Sequence, residues 1–169
     1  MYKRQGVSIQ TPDELVQALK LDDLTFIQMP FNLLDYRWDE LTDLIQVAKK
    51  HKKITVHVRS TLLQGLLINH NAEIWKQAHL NNTEDIFSWL EKYRKAFSCE
   101  DITDLCLRYV RGIPWIDGIV VGMESLEQLQ ANIHYFSTPA LTTKQRQIMI
   151  SSRPFICDKA LNPSQWVHK

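Results

Sequence analysis

The sequence predicts an α/β fold built on parallel strands, and three observations lead there. Short, β-branched apolar runs recur at residues 25–29, 54–58 and 118–121. Each is separated from the next by at least one amphipathic helical pattern, and several of those helices begin at recognisable caps. Strands joined through a whole helix are connected by a parallel crossover rather than a hairpin.

The elements follow in order. Thr11, Pro12, Asp13 and Glu14 have the spacing of a capping box with proline at the first helical position, and Leu15, Val16, Ala18 and Leu19 continue a short helix. Residues 25–29 form a compact apolar run that Pro30 and Asn32 end, as a buried strand running into a loop does. A helix is predicted over 39–50, where Leu41, Leu44, Ile45 and Ala48 recur at three and four residues. Its acidic residues Asp39, Glu40 and Asp43 come early and its basic residues Lys49, Lys50 and His51 late, which suits the helix dipole. Ile54, Val56 and Val58 alternate as a strand and complete a βαβ unit.

Residues 69–82 read as a polar excursion. Helices are predicted over 83–97 and 100–111, the second with Ile102, Leu105, Cys106 and Tyr109 on one face and Gly112 and Pro114 as its stop. The strand over 118–121 ends at Gly122. Ser125 and Gln128 then form a capping box for a helix carrying Leu129, Ile133 and Phe136, and 142–150 is the last helix.

Composition bounds the function. With 169 residues, 44% hydrophobic and 23% charged, the chain can bury one core and leaves little room for a disordered protein. A net charge of +1 without a basic stripe argues against nucleic acid as a partner. No apolar run approaches the roughly 18 to 20 residues that cross a bilayer, and no secretory signal is visible, so no membrane is expected and the cytoplasm is the expected compartment. Cys99, Cys106 and Cys157 lack paired spacing and read as reduced, buried thiols. His57 has no partner at metal spacing and reads as a core or sheet-lining histidine. Trp38, Trp75, Trp89, Trp115 and Trp166 lack the repeat of a base-stacking platform and read as packing residues.

Four stretches, in order and each at a predicted strand end, resemble the aldo/keto reductase family. They are Gly6-Val7-Ser8, Ile27-Gln28-Met29-Pro30-Phe31-Asn32, Arg59-Ser60-Thr61-Leu62-Leu63-Gln64-Gly65-Leu66-Leu67, and Val121-Gly122 with Leu129 and Asn132. The tail Asn162-Pro163-Ser164-Gln165-Trp166 resembles one branch of that family. The resemblance implies the C-terminal half of a TIM (β/α)8 barrel, about three to four parallel strands with flanking helices, running from the end of the fifth strand through the eighth helix. Residues 1–5 fall outside it and read as a non-native leader of the kind a translated sequencing-adapter end leaves, with a partial domain over 6–169.

The resemblance also implies the site, which takes a nicotinamide dinucleotide. Ser8 and Gln28 stand where the family holds the nicotinamide amide, and Ile9 replaces an asparagine common there. Asn32 reads as the cap of the following turn. Arg59 takes the place of an aromatic residue that stacks on the nicotinamide; it can stack in turn, or pair with a loop carboxylate. Ser60, Leu62 and Gly65 match a loop that contacts the pyrophosphate, Ser60 being the strongest candidate. Gly122, Met123 and Glu124 lead into a helix N-terminus suited to an anion, with Glu124 read either as a ribose partner or as a dipole-stabilising surface residue. Gln128 and Glu124 offer no positive charge to a 2′-phosphate, so NAD(H) is favoured over NADP(H). Asn132 reads as an adenine contact or as a solvent-facing residue.

Two functions are carried forward. One is a fragment of a reductase of aldehydes or ketones, a small carbonyl compound being the substrate of the complete protein. The other is a non-catalytic NADH-binding regulator on the same scaffold. The family's Asp, Tyr, Lys and His catalytic set comes from the first four strands, so no catalytic residue is assigned here, and Tyr36, Tyr93 and Tyr109 are not promoted to that role. A self-completing half-barrel, paired with a second copy, is a third reading. The isolated chain is expected to be marginally stable because its strand edges lack partners.

Overall fold

The computed structural model describes residues 5–167, so the leader expected over residues 1–5 lies, but for Gln5, outside the described residues. Among the described residues, β1 (Gln5–Ser8), β2 (Leu24–Pro30), β3 (Thr55–Arg59) and β4 (Gly118–Ile119) form one parallel sheet in that order. Ile27, Met29, Val56 and Val58 are buried in a core with Leu15, Ile45 and Leu105. Phe26, Gln28, Thr55, His57 and Arg59 alternate with them on the opposite face and are half-buried. That second face is the one a ligand or further chain can reach.

Ser8, Gln28, His57 and Gly118 pair in register as one row across the sheet. Two glycines flank the inward rings. A Cβ on Gly118 would stand 2.7 Å from the His57 ring, and one on Gly6 would stand 3.0 Å from Cβ of Phe26. The rings of Phe26 and His57 themselves meet edge to face at 4.7 Å. His57 therefore lines the sheet, and no metal-binding cluster exists among the described residues.

The helices obey their caps. Thr11 and Glu14 close the predicted box at the start of α1 (Pro12–Ala18). At α6 (Leu126–Ser137) the box forms in an altered way: Ser125 accepts from the Gln128 amide, but the Gln128 side chain reaches back to the N–H of Glu124. Between 39 and 50 the structure corrects the sequence reading. Tyr36–Leu41 is a 3-10 turn and α2 runs Thr42–Lys52, because the Asp35 carboxylate accepts from the Arg37 N–H and tightens the chain there. Ile45 is buried on α2, whereas Leu44 is exposed.

The excursion at 69–82 is also corrected. It holds a short helix, α3 (Ala72–Gln77), whose cap is Asn71 and whose Trp75 is fully buried. Beyond it, α4 (Thr83–Ala96) and α5 (Ile102–Arg111) pack together, and α7 (Thr143–Ile150) follows α6. The predicted strand over 118–121 pairs only at Gly118 and Ile119, since β3 alone borders it, although Val120 still donates to the Val58 carbonyl. On α6, Leu129, Ile133 and Phe136 are exposed instead of forming a buried face. No described helix is long and apolar enough to cross a membrane.

Trp38, Trp75, Trp89 and Trp115 are packing residues, as expected, and Trp166 packs partly buried against the core. All three cysteines are free; Cys99 and Cys106 are buried, while Cys157 is partly exposed, which corrects the reading of three buried thiols. Burial pushes the Cys99 thiol from 9.0 up to about 11 and pushes Cys106 up as well. Folded thiols thus keep protons that the unfolded chain releases, so stability is full below about pH 9 and falls as the pH rises from there through about 11. In a disulfide-exchange assay at about pH 8, Cys157 is expected to react first and the other two only on unfolding. Equal rates for all three would contradict this burial.

Candidate functional site

A parallel sheet places the carboxyl ends of all its strands on one edge, and the loops leaving that edge carry every candidate residue. Ser8 closes β1 and is exposed; Gln28, its register partner, lies half-buried near the end of β2. After β2 the chain turns at Asn32, whose Oδ1 accepts from the Leu34 N–H at 3.0 Å, which bears out its reading as a turn cap. Asn32 is itself 1% exposed.

Arg59, the last residue of β3, reaches sideways across β2. Its Nη2 donates to the Ile9 carbonyl at 3.2 Å and to Gln10 Oε1 at 2.8 Å, tying the ends of β1 and β3 together. No carboxylate lies within ion-pair distance of it among the described residues, so of the two roles considered for Arg59 the carboxylate pair is not formed. Burial lowers its pKa, an effect that the charge of Glu14 partly opposes. Gln10 escaped the sequence reading. It lies two residues beyond Ser8 on the same alternation, and that spacing was the signal available.

The loop after β3 is tightly wound. Ser60, Leu63 and Gln64 have φ of 61°, 48° and 55°, and Gly65 follows at 80°. Three of these four carry side chains in the left-handed region, a costly conformation that clusters at functional sites. The Ser60 carbonyl accepts from the Leu63 N–H at 2.8 Å, and Leu62 packs against the core. On the neighbouring strand end, Gly122, Met123 and Glu124 lead into α6. Gly122 has open space around it, Met123 and Glu124 are exposed, and Gln128 is engaged with the Glu124 N–H. Asn132 lines an apolar groove with Val121, Met123, Leu129 and Ile133. Ser8, Gln28 and Arg59 thus gather over the first three strands, and the 122–132 group stands apart on the fourth.

One feature unites the edge. Among the described residues, the buried side-chain atoms without a hydrogen-bond partner are Gln10 Nε2, Asn32 Nδ2, Arg59 Nη1 and Thr61 Oγ1. They follow, or close, β1, β2 and β3 at their carboxyl ends. Buried polar groups are rarely left unpaired, so these atoms mark where water, a ligand or a further chain would complete the edge. The unpaired atoms are mostly donors and fit the acceptor oxygens of a polar dinucleotide, those of its phosphates above all.

Known proteins resemble this chain in sequence and fold. The curated relative "Uncharacterized oxidoreductase YqkF" of Bacillus subtilis (strain 168) is 23% identical over 146 residues, covering 83% of this chain and 46% of the relative. Among solved structures, the aldo-keto reductase AKR11C1 of Bacillus halodurans in its holo form is 23% identical with a TM-score of 0.68, over 89% of this chain and 50% of that one. The glycerol dehydrogenase AKR11B4 of Gluconobacter oxydans is 17% identical with a TM-score of 0.57, over 88% and 48%. The chain therefore spans about half the length of these relatives, and its four parallel strands with their helices have the fold of half of their TIM barrels. With the model of the Aldo/keto reductase family matching residues 2–152, the chain belongs to that family.

Proposed function

We propose that this chain is the cofactor-holding half of a nicotinamide-dependent oxidoreductase that reduces aldehydes or ketones. The observation that carries the reading is the unfinished polar edge at the ends of β1, β2 and β3. The bound nicotinamide supplies the hydride; the residues of this chain bind and orient it. Ser8 and Gln28, neighbours in register, offer a hydroxyl and an amide to the nicotinamide carboxamide, which needs both donors and acceptors. Arg59 offers a flat guanidinium face to the ring. Ser60, Leu62 and Gly65 present the loop to the pyrophosphate, and Gly65 lets the backbone come close. Gly122, Met123 and Glu124, at the start of α6, would meet the ribose and phosphates, and Asn132 would contact the adenine.

Glu124 and Gln128 provide no cation for a 2′-phosphate, which favours NAD(H). The general acid belongs to the segment that the relatives possess and this chain does not include. Tyr109, which is 2% exposed, and Tyr36, whose hydroxyl donates to Asp158 at 2.6 Å, are committed to packing and to that bond. Free thiols accord with a cytoplasmic protein.

Titrating NADH and NADPH onto the chain, followed by cofactor fluorescence, tests this. NADH is expected to bind at least about ten-fold more tightly, and Gln28→Leu to weaken it by about ten-fold, the worth of one good hydrogen bond. The chain alone is expected to leave NADH unoxidised in the presence of an aldehyde. Adding the separately produced first half of the barrel then separates the two functions: oxidation supports the reductase, and binding without oxidation supports the regulator. Failure of both cofactors to bind would overturn both readings.

A further inference from the structure

The four unpaired atoms share a chemistry that decides what meets them. Gln10 Oε1 must be the oxygen, because its partner, the Arg59 guanidinium, only donates; the orphan on Gln10 is therefore an N–H. Asn32 Oδ1 accepts from a backbone N–H, so its orphan is likewise an N–H. Arg59 Nη1 is a donor by nature, and the Thr61 hydroxyl can donate. Asn32 and Thr61 each follow, by two residues, the register-paired positions Pro30 and Arg59. The carboxyl ends of β1, β2 and β3 thus hold three unpaired donors and one group able to donate, one of those donors on a guanidinium whose acceptors are both neutral.

An uncharged amide ligand brings donors as well as acceptors and satisfies such a set poorly. An anionic oxygen brings only acceptors and also compensates the charge. We propose that Gln10 and Arg59 form a cradle for an anionic oxygen, a carboxylate or a phosphate, at the carboxyl ends of β1 and β3. Gln10 holds the guanidinium across the sheet through its oxygen and offers its own N–H to the same anion. A carboxylate would make the complete protein a reductase of carbonyl acids; a phosphate would belong to the cofactor. This inference rests on the reading of the edge as a ligand site, but its tests read binding alone, independently of hydride transfer.

The experiment is a titration of the 15N-labelled chain, held folded by trimethylamine oxide, with pyruvate, acetone and inorganic pyrophosphate at constant ionic strength. The side-chain resonances of Arg59 Nε–H and the Gln10 amide are followed. Saturable shifts with pyruvate and none with acetone are expected if the anion is a substrate carboxylate; saturation with pyrophosphate alone assigns it to the cofactor phosphate, and either outcome supports the cradle. Arg59→Gln and Gln10→Leu are each expected to weaken the bound anion by at least about ten-fold. The thermal midpoint should rise with the binding anion in the native chain and not in Arg59→Gln. Absence of saturation by both anions, or equal affinity in Arg59→Gln, overturns the proposal. NADH binding that survives Arg59→Gln would leave the cofactor reading standing when the cradle falls.

Discussion

Asp35→Ala is expected to destabilise the chain by about 3 to 5 kcal/mol, the range for breaking a buried, hydrogen-bonded charge pair from one side. Asp35 is 1% exposed and serves four donors. Its Oδ1 accepts from the Arg37 backbone N–H at 3.3 Å and from Arg37 Nε at 2.8 Å. Its Oδ2 accepts from Arg37 Nη2 at 2.7 Å and from the indole N–H of Trp38 at 2.9 Å. Trp38 is fully buried and Arg37 nearly so, so neither can turn to water when the carboxylate goes. Burial would lower the Arg37 pKa, yet the hydrogen bonds and charge of Asp35 leave it raised. Asp35→Asn keeps one acceptor oxygen but turns an N–H towards other donors, so it should recover only part of the loss. Folded fraction in urea, read from near-ultraviolet circular dichroism of the buried tryptophans, checks both. A loss below about 1 kcal/mol in the alanine variant would mean that this corner is not buried as described.

Gly112→Ala should cost about 3 kcal/mol, at the upper end for overpacking. Gly112 ends α5 in an ordinary helical conformation, so its role is space rather than backbone freedom. A Cβ there would stand 2.3 Å from the Leu141 carbonyl oxygen and 2.3 Å from Nη1 of Arg146. The guanidinium could shift, but the carbonyl could not do so easily. Leu141 is tied to α5 by its own N–H, which donates to the Arg108 carbonyl at 2.9 Å, and Arg146 donates back to the Leu141 oxygen at 2.7 Å. Two other glycines calibrate the result in the same urea titration. Gly122→Ala, with open space around it, should change little; Gly65→Ala, also in open space but at φ 80°, should cost about 1 kcal/mol through its backbone. Equal effects at all three positions would refute the crowding argument.

The parallel order of strands was legible because each apolar run is short and separated from the next by at least one helical pattern. The Thr11 box and the stop at Gly112 are local, and local chemistry survives into the fold. What was hidden depends on contacts distant in sequence or on unusual turns. The 3-10 turn at Tyr36–Leu41 rests on the Asp35 carboxylate, which looks like one acid among many until its burial is known. The helix at Ala72–Gln77 is too short for periodicity to reveal, although Asn71 ahead of it and Trp75 within it were its signals. The exposed face of α6 had the pattern of a buried one, since periodicity records what a helix is made to meet and not whether the chain supplies it.

The same division runs through the site. The strand-end positions of Ser8, Gln28 and Arg59 could be read from the family resemblance. That Arg59 would turn across β2 to Gln10, and that the unpaired atoms there would be donors, follows from side-chain placement across 49 residues of sequence.

The wound loop at 60–65 bears on kinetics. Its left-handed turns at Ser60, Leu63, Gln64 and Gly65 are held by Leu63, which is fully buried, and by the bond from its N–H to Ser60. Its shape is therefore settled when the chain folds and not when a ligand arrives. A pyrophosphate meeting this loop would find its backbone already arranged, so association should be a single diffusive step whose rate rises in proportion to ligand concentration, with no plateau from a rearranging loop.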